Sequence, residues 1–139
     1  MSDTIGLMRE IAKLQGQIDA LRTIEVGGVW TAYTPTITAY AGAFTTVSAT
    51  GYYSKIAKVV PILITVTITT NGTASGIVFA SLPFATDKVT ALSGRENSVT
   101  GKMLQGLAFN NLVTIYNYDG SYPGGNGYTL YLSGFLSIA

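Results

Sequence analysis

Apolar and polar residues alternate with two different periods along the chain. Near the start, Leu7, Ile11, Leu14, Ile18 and Leu21 recur at spacings of four and three. This is a helical heptad, with Ile11 and Ile18 at a and the three leucines at d. Ser2 and Asp3 can accept hydrogen bonds from the free N–H groups of a first turn. Gly27 and Gly28 follow the periodic stretch, where helices tend to end. A helix of about 22 residues would be about 33 Å long, at ~1.5 Å per residue. Its seam is narrow and its flanks are polar, which favours a self-associating coiled coil over a helix lying on its own domain. Ile at a with Leu at d suits dimers, whereas Ile5 and Met8 widen the apolar face and suit a larger bundle.

From Trp30 onward the period changes to two. Over residues 58–70, Val60, Ile62, Ile64, Val66 and Ile68 point one way, and Pro61, Leu63, Thr65, Thr67 and Thr69 the other. Pro61 cannot donate to a ladder, so an edge, a bulge or the start of a strand is its expected place. Asn71-Gly72 predicts a hairpin turn into a strand over 75–82. Further strands are predicted over 30–39, 43–50, 52–57, 98–109 with a break at Gly106, 112–118 and 128–138. In the last, Tyr128, Leu130, Leu132, Leu136 and Ile138 share a face. The predicted fold is mainly β: an N-terminal coiled-coil helix over 1–28, then an antiparallel, jelly-roll-like β-sandwich head over 29–139.

Composition sharpens this picture. A chain of 139 residues suits one self-sufficient core. Only 11% of residues are charged, against about a quarter in an average soluble chain, so the surface is poorly protected against association. The net charge of +1 is spread without a basic stripe, which argues against a nucleic-acid partner. No secretory signal is evident, because Asp3, Arg9, Glu10 and Lys13 interrupt any apolar run. Residues 59–68 are too few to cross a bilayer as a helix, so membrane insertion is not expected and synthesis in the cytoplasm is.

Catalytic equipment is sparse. The chain has no cysteine and no histidine, so disulfides, thiolate metal sites and a Ser-His-Asp triad are impossible. Glu25, Asp87, Glu96 and Asp119 lie far apart in sequence, whereas a glycosidase holds two carboxylates about 5 to 10 Å apart. Residues 93–98 contain a serine and charges but read as a polar turn. Asp87 and Asp119-Gly120 read as turns, without the spaced oxygen ligands of a calcium loop. The expectation is a non-enzyme with no metal and no cofactor.

Binding has better candidates. Residues 116–128 mix tyrosines with Asn, Asp, Ser and Gly. Such loops suit sugars, which have apolar faces and polar edges, and adaptable protein contacts. The alternative is a long hairpin loop whose tyrosines pack on the sandwich or against a neighbouring subunit; within the loop, Tyr122, Asn126 and Asp119 are the residues expected to be exposed. Tyr116, Tyr118 and Tyr128 are read first as packing, with Tyr118 kept among the candidate ligand-binding residues. Arg95 and Glu96 form a second candidate loop. Trp30, just after the glycines, is expected to plug the junction between helix and head.

Certain stretches resemble the C-terminal head or tip domains of bacteriophage tail fibres and related receptor-binding proteins. They are Trp30-Thr31-Ala32-Tyr33-Thr34-Pro35-Thr36, Ala49-Thr50-Gly51-Tyr52-Tyr53-Ser54-Lys55-Ile56-Ala57-Lys58-Val59-Val60, Ser81-Leu82-Pro83-Phe84-Ala85 and Tyr131-Leu132-Ser133-Gly134-Phe135-Leu136. Ala57 stands where that family often has Gly, and Phe135 where it often has Tyr. These motifs are structural: Gly51 would allow a tight turn, Tyr52, Ile56 and Val60 would feed the core, and Pro83 would end a strand. The resemblance implies a homotrimer of β-sandwich heads on a coiled-coil stalk, with Leu7, Ile11, Leu14, Ile18 and Leu21 as its trimerisation seam. It also implies a place on a virion, other virion structural proteins as partners, and contact with a host-surface polysaccharide or protein. A capsid decoration fibre without receptor role is the alternative. A polysaccharide-degrading tailspike module fits less well, since no repetitive β-helix is visible.

Overall fold

A computed structural model describes residues 2–26 and 28–139, except for the side chains of Ser2 and residues 20–26. Met1 and Gly27 therefore lie outside the described residues, as does the side chain of Leu21, the last expected seam position. Helix α1 spans Ser2–Val26. Leu7, Ile11, Leu14 and Ile18 are 46–61% exposed on it. Among the described residues no strand packs along the helix. The described part of its apolar stripe, from Leu7 to Ile18, is thus uncovered within a single chain.

The rest of the chain forms strands β1 (Thr31–Tyr33), β2 (Ile37–Ala41), β3 (Thr46–Tyr53), β4 (Val59–Thr70), β5 (Ser75–Ser81), β6 (Thr90–Glu96), β7 (Met103–Phe109), β8 (Leu112–Asn117) and β9 (Tyr128–Ser137). All belong to one antiparallel sheet, ordered β1-β3-β4-β9-β6-β7-β8-β5-β2. A continuous sheet thus takes the place of the two stacked sheets expected.

The order requires that sheet to curl. β1 and β2 lie at opposite edges, yet only residues 34–36 join them. Eight gaps of ~4.8 Å would set the edges of a flat sheet about 38 Å apart. The chain from Tyr33 to Ile37 reaches at most about 14 Å, at ~3.5 Å per residue. Tyr33 closes the gap by donating its hydroxyl to the Ser81 carbonyl of β5, 3.2 Å away. Thr36 and Ser81 exchange two further bonds, of 3.0 and 2.7 Å.

The concave side holds the core. Val60, Ile62, Ile64, Val66 and Ile68 of β4 are buried, as their alternation predicts. They meet Leu130, Leu132 and Leu136 of β9 and Val113 and Ile115 of β8. Tyr53 stands edge-on to both Tyr33 and Phe84, at 5.9 and 5.0 Å between ring centres.

Several local expectations change. The strand expected over 30–39 is split at Pro35, where the chain crosses between the edges and Pro has no N–H to donate. β3 runs through Gly51 without a turn. A Cβ there would come within 2.2 Å of the Tyr33 ring, so Gly51 seats that ring. Tyr52 and Ile56, expected in the core, point outward, and Trp30 is about half exposed instead of plugging the junction. The turn at Asn71-Gly72 exists, but β4 pairs with β3 and β9 while β5 pairs with β2 and β8. The turn therefore carries the chain across the roll and makes no hairpin. β7 begins at Met103 and continues unbroken through Gly106. β6 falls where a polar turn was expected.

The register sorts the connections between two ends. The start of β1, residues 54–58, 82–89 and 110–111 and the end of β9 share the end where α1 enters. Residues 42–45, 71–74, 97–102 and 118–127 share the opposite, distal end.

Candidate functional site

The distal end is where the antiparallel order brings the candidate binding residues together. Loop 97–102 joins β6 to β7, and segment 118–127 joins β8 to β9. β7 and β8 are neighbours, so both loops leave the sheet side by side. Tyr118 donates its backbone N–H to the Met103 carbonyl at 2.8 Å, which ties the two.

Glu96 organises the first loop from inside. Its side chain is fully buried at the end of β6, which corrects the expectation of an exposed loop residue. No cation faces it. Its Oε1 accepts the backbone N–H of Ser98 at 2.7 Å and of Thr129 at 3.2 Å. Its Oε2 accepts those of Thr100 at 2.7 Å and Gly101 at 3.3 Å, and the Thr100 hydroxyl at 3.1 Å. The Val99 N–H reaches both oxygens at 3.0 Å. Burial alone would raise the Glu96 pKa. The donors of Thr100, Val99, Ser98 and Thr129 outweigh it and hold the carboxyl down at about 2. Glu96 is therefore an internal anion that shapes loop 97–102 and offers no oxygen to a ligand.

The second loop is also closed on itself. Buried Asn117 donates its side-chain amide to the Ser121 hydroxyl and to the Tyr122 carbonyl, both at 3.0 Å. Asp119 accepts the Ser121 N–H at 3.1 Å, and its pKa is lowered, first by the Ser121 hydroxyl and then by that N–H. Tyr122 is half buried and donates its hydroxyl to Asn71 Oδ1 at 2.6 Å. Burial pushes that phenol up to about 12, against the opposing pull of the Asn71 bond. Asn126 Oδ1 accepts the Asn71 N–H at 2.8 Å. Tyr122 and Asn126 thus pin the loop to the Asn71 turn.

Two of the tyrosines exchange their expected places: Tyr122 is half buried and Tyr118 is exposed, whereas Tyr116 and Tyr128 are partly buried and Asp119 and Asn126 exposed, as expected. Tyr118, first read as packing, is 64% exposed. Arg95 projects from the outer face of β6, opposite Met103 of β7. It stands beside a groove of about 550 Å³ with Met103, Tyr131, Tyr52, Ser93 and Ser133. Sequence reading missed Tyr131, Met103, Ser93 and Ser133, because they converge only once β6 is inserted between β9 and β7. The available signal was the outward alternation Ala91, Ser93, Arg95, obscured by Gly94 and Glu96 at the inward positions.

This arrangement can bind: an exposed Tyr118 stands on an internally bonded loop, and Arg95 of β6 lines a groove with aromatic walls and hydroxyls. Glu96 and Asp119 are engaged locally, and Asp87 lies at the other end, bonded to Lys88 and Ser137. Among the described residues no three His, Cys, Asp or Glu side chains gather as a metal site would require. No described helix is long and apolar enough to cross a membrane. No family model, curated protein or solved structure matches the chain.

Proposed function

We propose that the chain is a stalked head of a bacteriophage virion fibre or tail tip, trimeric through α1, which presents its distal loops to a host-surface polysaccharide. One observation carries the reading: the head is polarised. The helix with its uncovered heptad enters at one end, and both candidate binding loops leave at the other. A display module needs this layout, because association at the stalk then leaves the tip free. In this reading Leu7, Ile11, Leu14, Ile18 and Leu21 form the seam of a coiled coil, and the rolled sheet serves as the jelly-roll-like sandwich of such heads. Other virion structural proteins would hold the stalk.

Light scattering on the purified chain tests the assembly: three copies are expected, and a monomer at micromolar concentration refutes it. Binding to host cells or a glycan array tests the tip. Tyr118→Ala is expected to weaken that binding at least about tenfold, the scale of one lost aromatic contact. Unchanged binding would leave a decoration fibre without receptor role as the better reading.

A further inference from the structure

Two rows of cross-strand neighbours build the groove on the outer face of the sheet. One row runs Thr65, Tyr131, Arg95, Met103, and the next runs Tyr52, Leu63, Ser133, Ser93. Ser133 and Ser93 are partners across β9 and β6. Their short side chains leave a low floor that carries two hydroxyls. Tyr52, Tyr131 and Met103, each 46–55% exposed, stand around it. The two serine hydroxyls have no hydrogen-bond partner among the described residues.

Arg95 is the only charged residue that lines this groove. It is exposed, and among the described residues its guanidinium meets no carboxylate and no hydrogen-bond acceptor. The adjacent Glu96 points to the opposite face, with its oxygens occupied by loop N–H groups. Asp119 is bonded to Ser121. The Arg95 head nevertheless has a seat. A Cβ at Gly101 would come within 3.2 Å of its Nη2, and the Gly101 N–H is itself bonded to Glu96. The internal carboxylate thus fixes the backbone on which the guanidinium rests, and five N–H donors are presented at the rim of the groove.

Donors without acceptors define what the groove takes. A guanidinium matches a carboxylate through two parallel N–H···O bonds. One cation with no second beside it suits a planar, singly charged group better than a phosphate dianion, whose second charge would go unmatched. Hydroxyls and tyrosine faces suit a sugar ring, with its polar edges and apolar C–H faces. The volume of about 550 Å³ lies within the range of about 300–1,000 Å³ of small-ligand sites. We propose that the groove is a subsite for a carboxylate-bearing sugar unit, with Arg95 on the carboxylate, Ser93 and Ser133 on ring hydroxyls and Tyr131 against the ring. The assignment rests on the display reading above and gives its polysaccharide a charge.

An array of oligosaccharides containing hexuronic or nonulosonic acids, each beside its methyl ester, tests this with the full chain. At least one acid is expected to bind about tenfold or more tighter than its ester, the scale of a hydrogen-bonded charge. Arg95→Gln should abolish that preference and leave the melting temperature unchanged, since the side chain has no protein partner to lose. Arg95→Lys keeps the charge without the fork and should retain only part of the preference. Should Arg95→Gln disturb folding, Ser93→Asp is the second variant: a carboxylate on the floor should repel the acid and spare neutral sugars. Acid and ester bound alike, or an undiminished preference in the variants, overturns the carboxylate subsite and leaves the display reading intact. Host cells bound without any acidic sugar of the array overturn the subsite in the same way. A chain that binds neither host cells nor any sugar overturns both.

Discussion

Glu96 is the residue on which the distal loop depends. Removing a carboxylate from water costs several kcal/mol unless it is well bonded, and here four loop N–H groups and one from β9 supply the bonds. Glu96→Gln turns an acceptor-only group into one whose amide N–H₂ faces other donors. It should destabilise the fold by about 1–3 kcal/mol, read as a lower urea midpoint at pH 7. The folded pKa of about 2 lies below the ordinary 4.5, so the charged form is favoured by folding. This contribution is complete above about pH 4.5 and fades as pH falls toward 2. The gap between Glu96→Gln and the parent chain should therefore narrow across that window; a constant gap would refute the cradle. Ser54 is the opposite case, with a buried hydroxyl that has no partner among the described groups. Ser54→Ala should leave the melting temperature unchanged or raise it, because no bond is lost. Neither role was legible beforehand, since a Glu within Ser-Gly-Arg-Glu-Asn-Ser has the composition of a turn and its donors become donors to it only when the loop closes.

At the scale of elements, β4 and β6 mark the limits of pattern reading. β4 carries five β-branched residues on one face, and only a strand can bury all five together. β6 has Leu92, Gly94 and Glu96 on the same side, a period of two with one apolar member. Its strand character comes from pairing with β9 and β7 on either side. Gly94 shows how close that pairing is, since a Cβ there would lie 1.7 Å from the Tyr131 carbonyl oxygen. Backbone cannot yield as a flexible side chain does. Gly94→Ala should therefore cost about 3 kcal/mol or more, as severe overpacking does. Denaturant unfolding would check it, and a loss below about 1 kcal/mol would contradict the close approach. The helix was legible from its heptad, and so was the Asn71-Gly72 turn. The partner of that turn was not, because a tight turn fixes where a chain reverses and leaves open which strand lies alongside.

For the molecule as a whole, the rolled sheet gives the head two ends. If display at the distal end is the role, stalk and tip should be separable by mutation. Ile11→Asp with Leu14→Asp should dissociate the assembly in light scattering while the head keeps its thermal transition, since no strand packs along α1. Loss of that transition would show that head and stalk form one cooperative unit. The sequence alone determined what local spacing can encode: a helix with an apolar heptad, a β-rich remainder, the inward face of β4 and β9, and the absence of thiol and imidazole side chains. Tertiary structure decided that the strands form one rolled sheet, that Arg95 stands beside Tyr131 and Met103, that Tyr118 is free while Tyr122 is held, and that Glu96 is internal. These depend on which strands become neighbours across long sequence separations. That choice is set by how apolar faces from the entire chain close around a common core, and no single segment carries it.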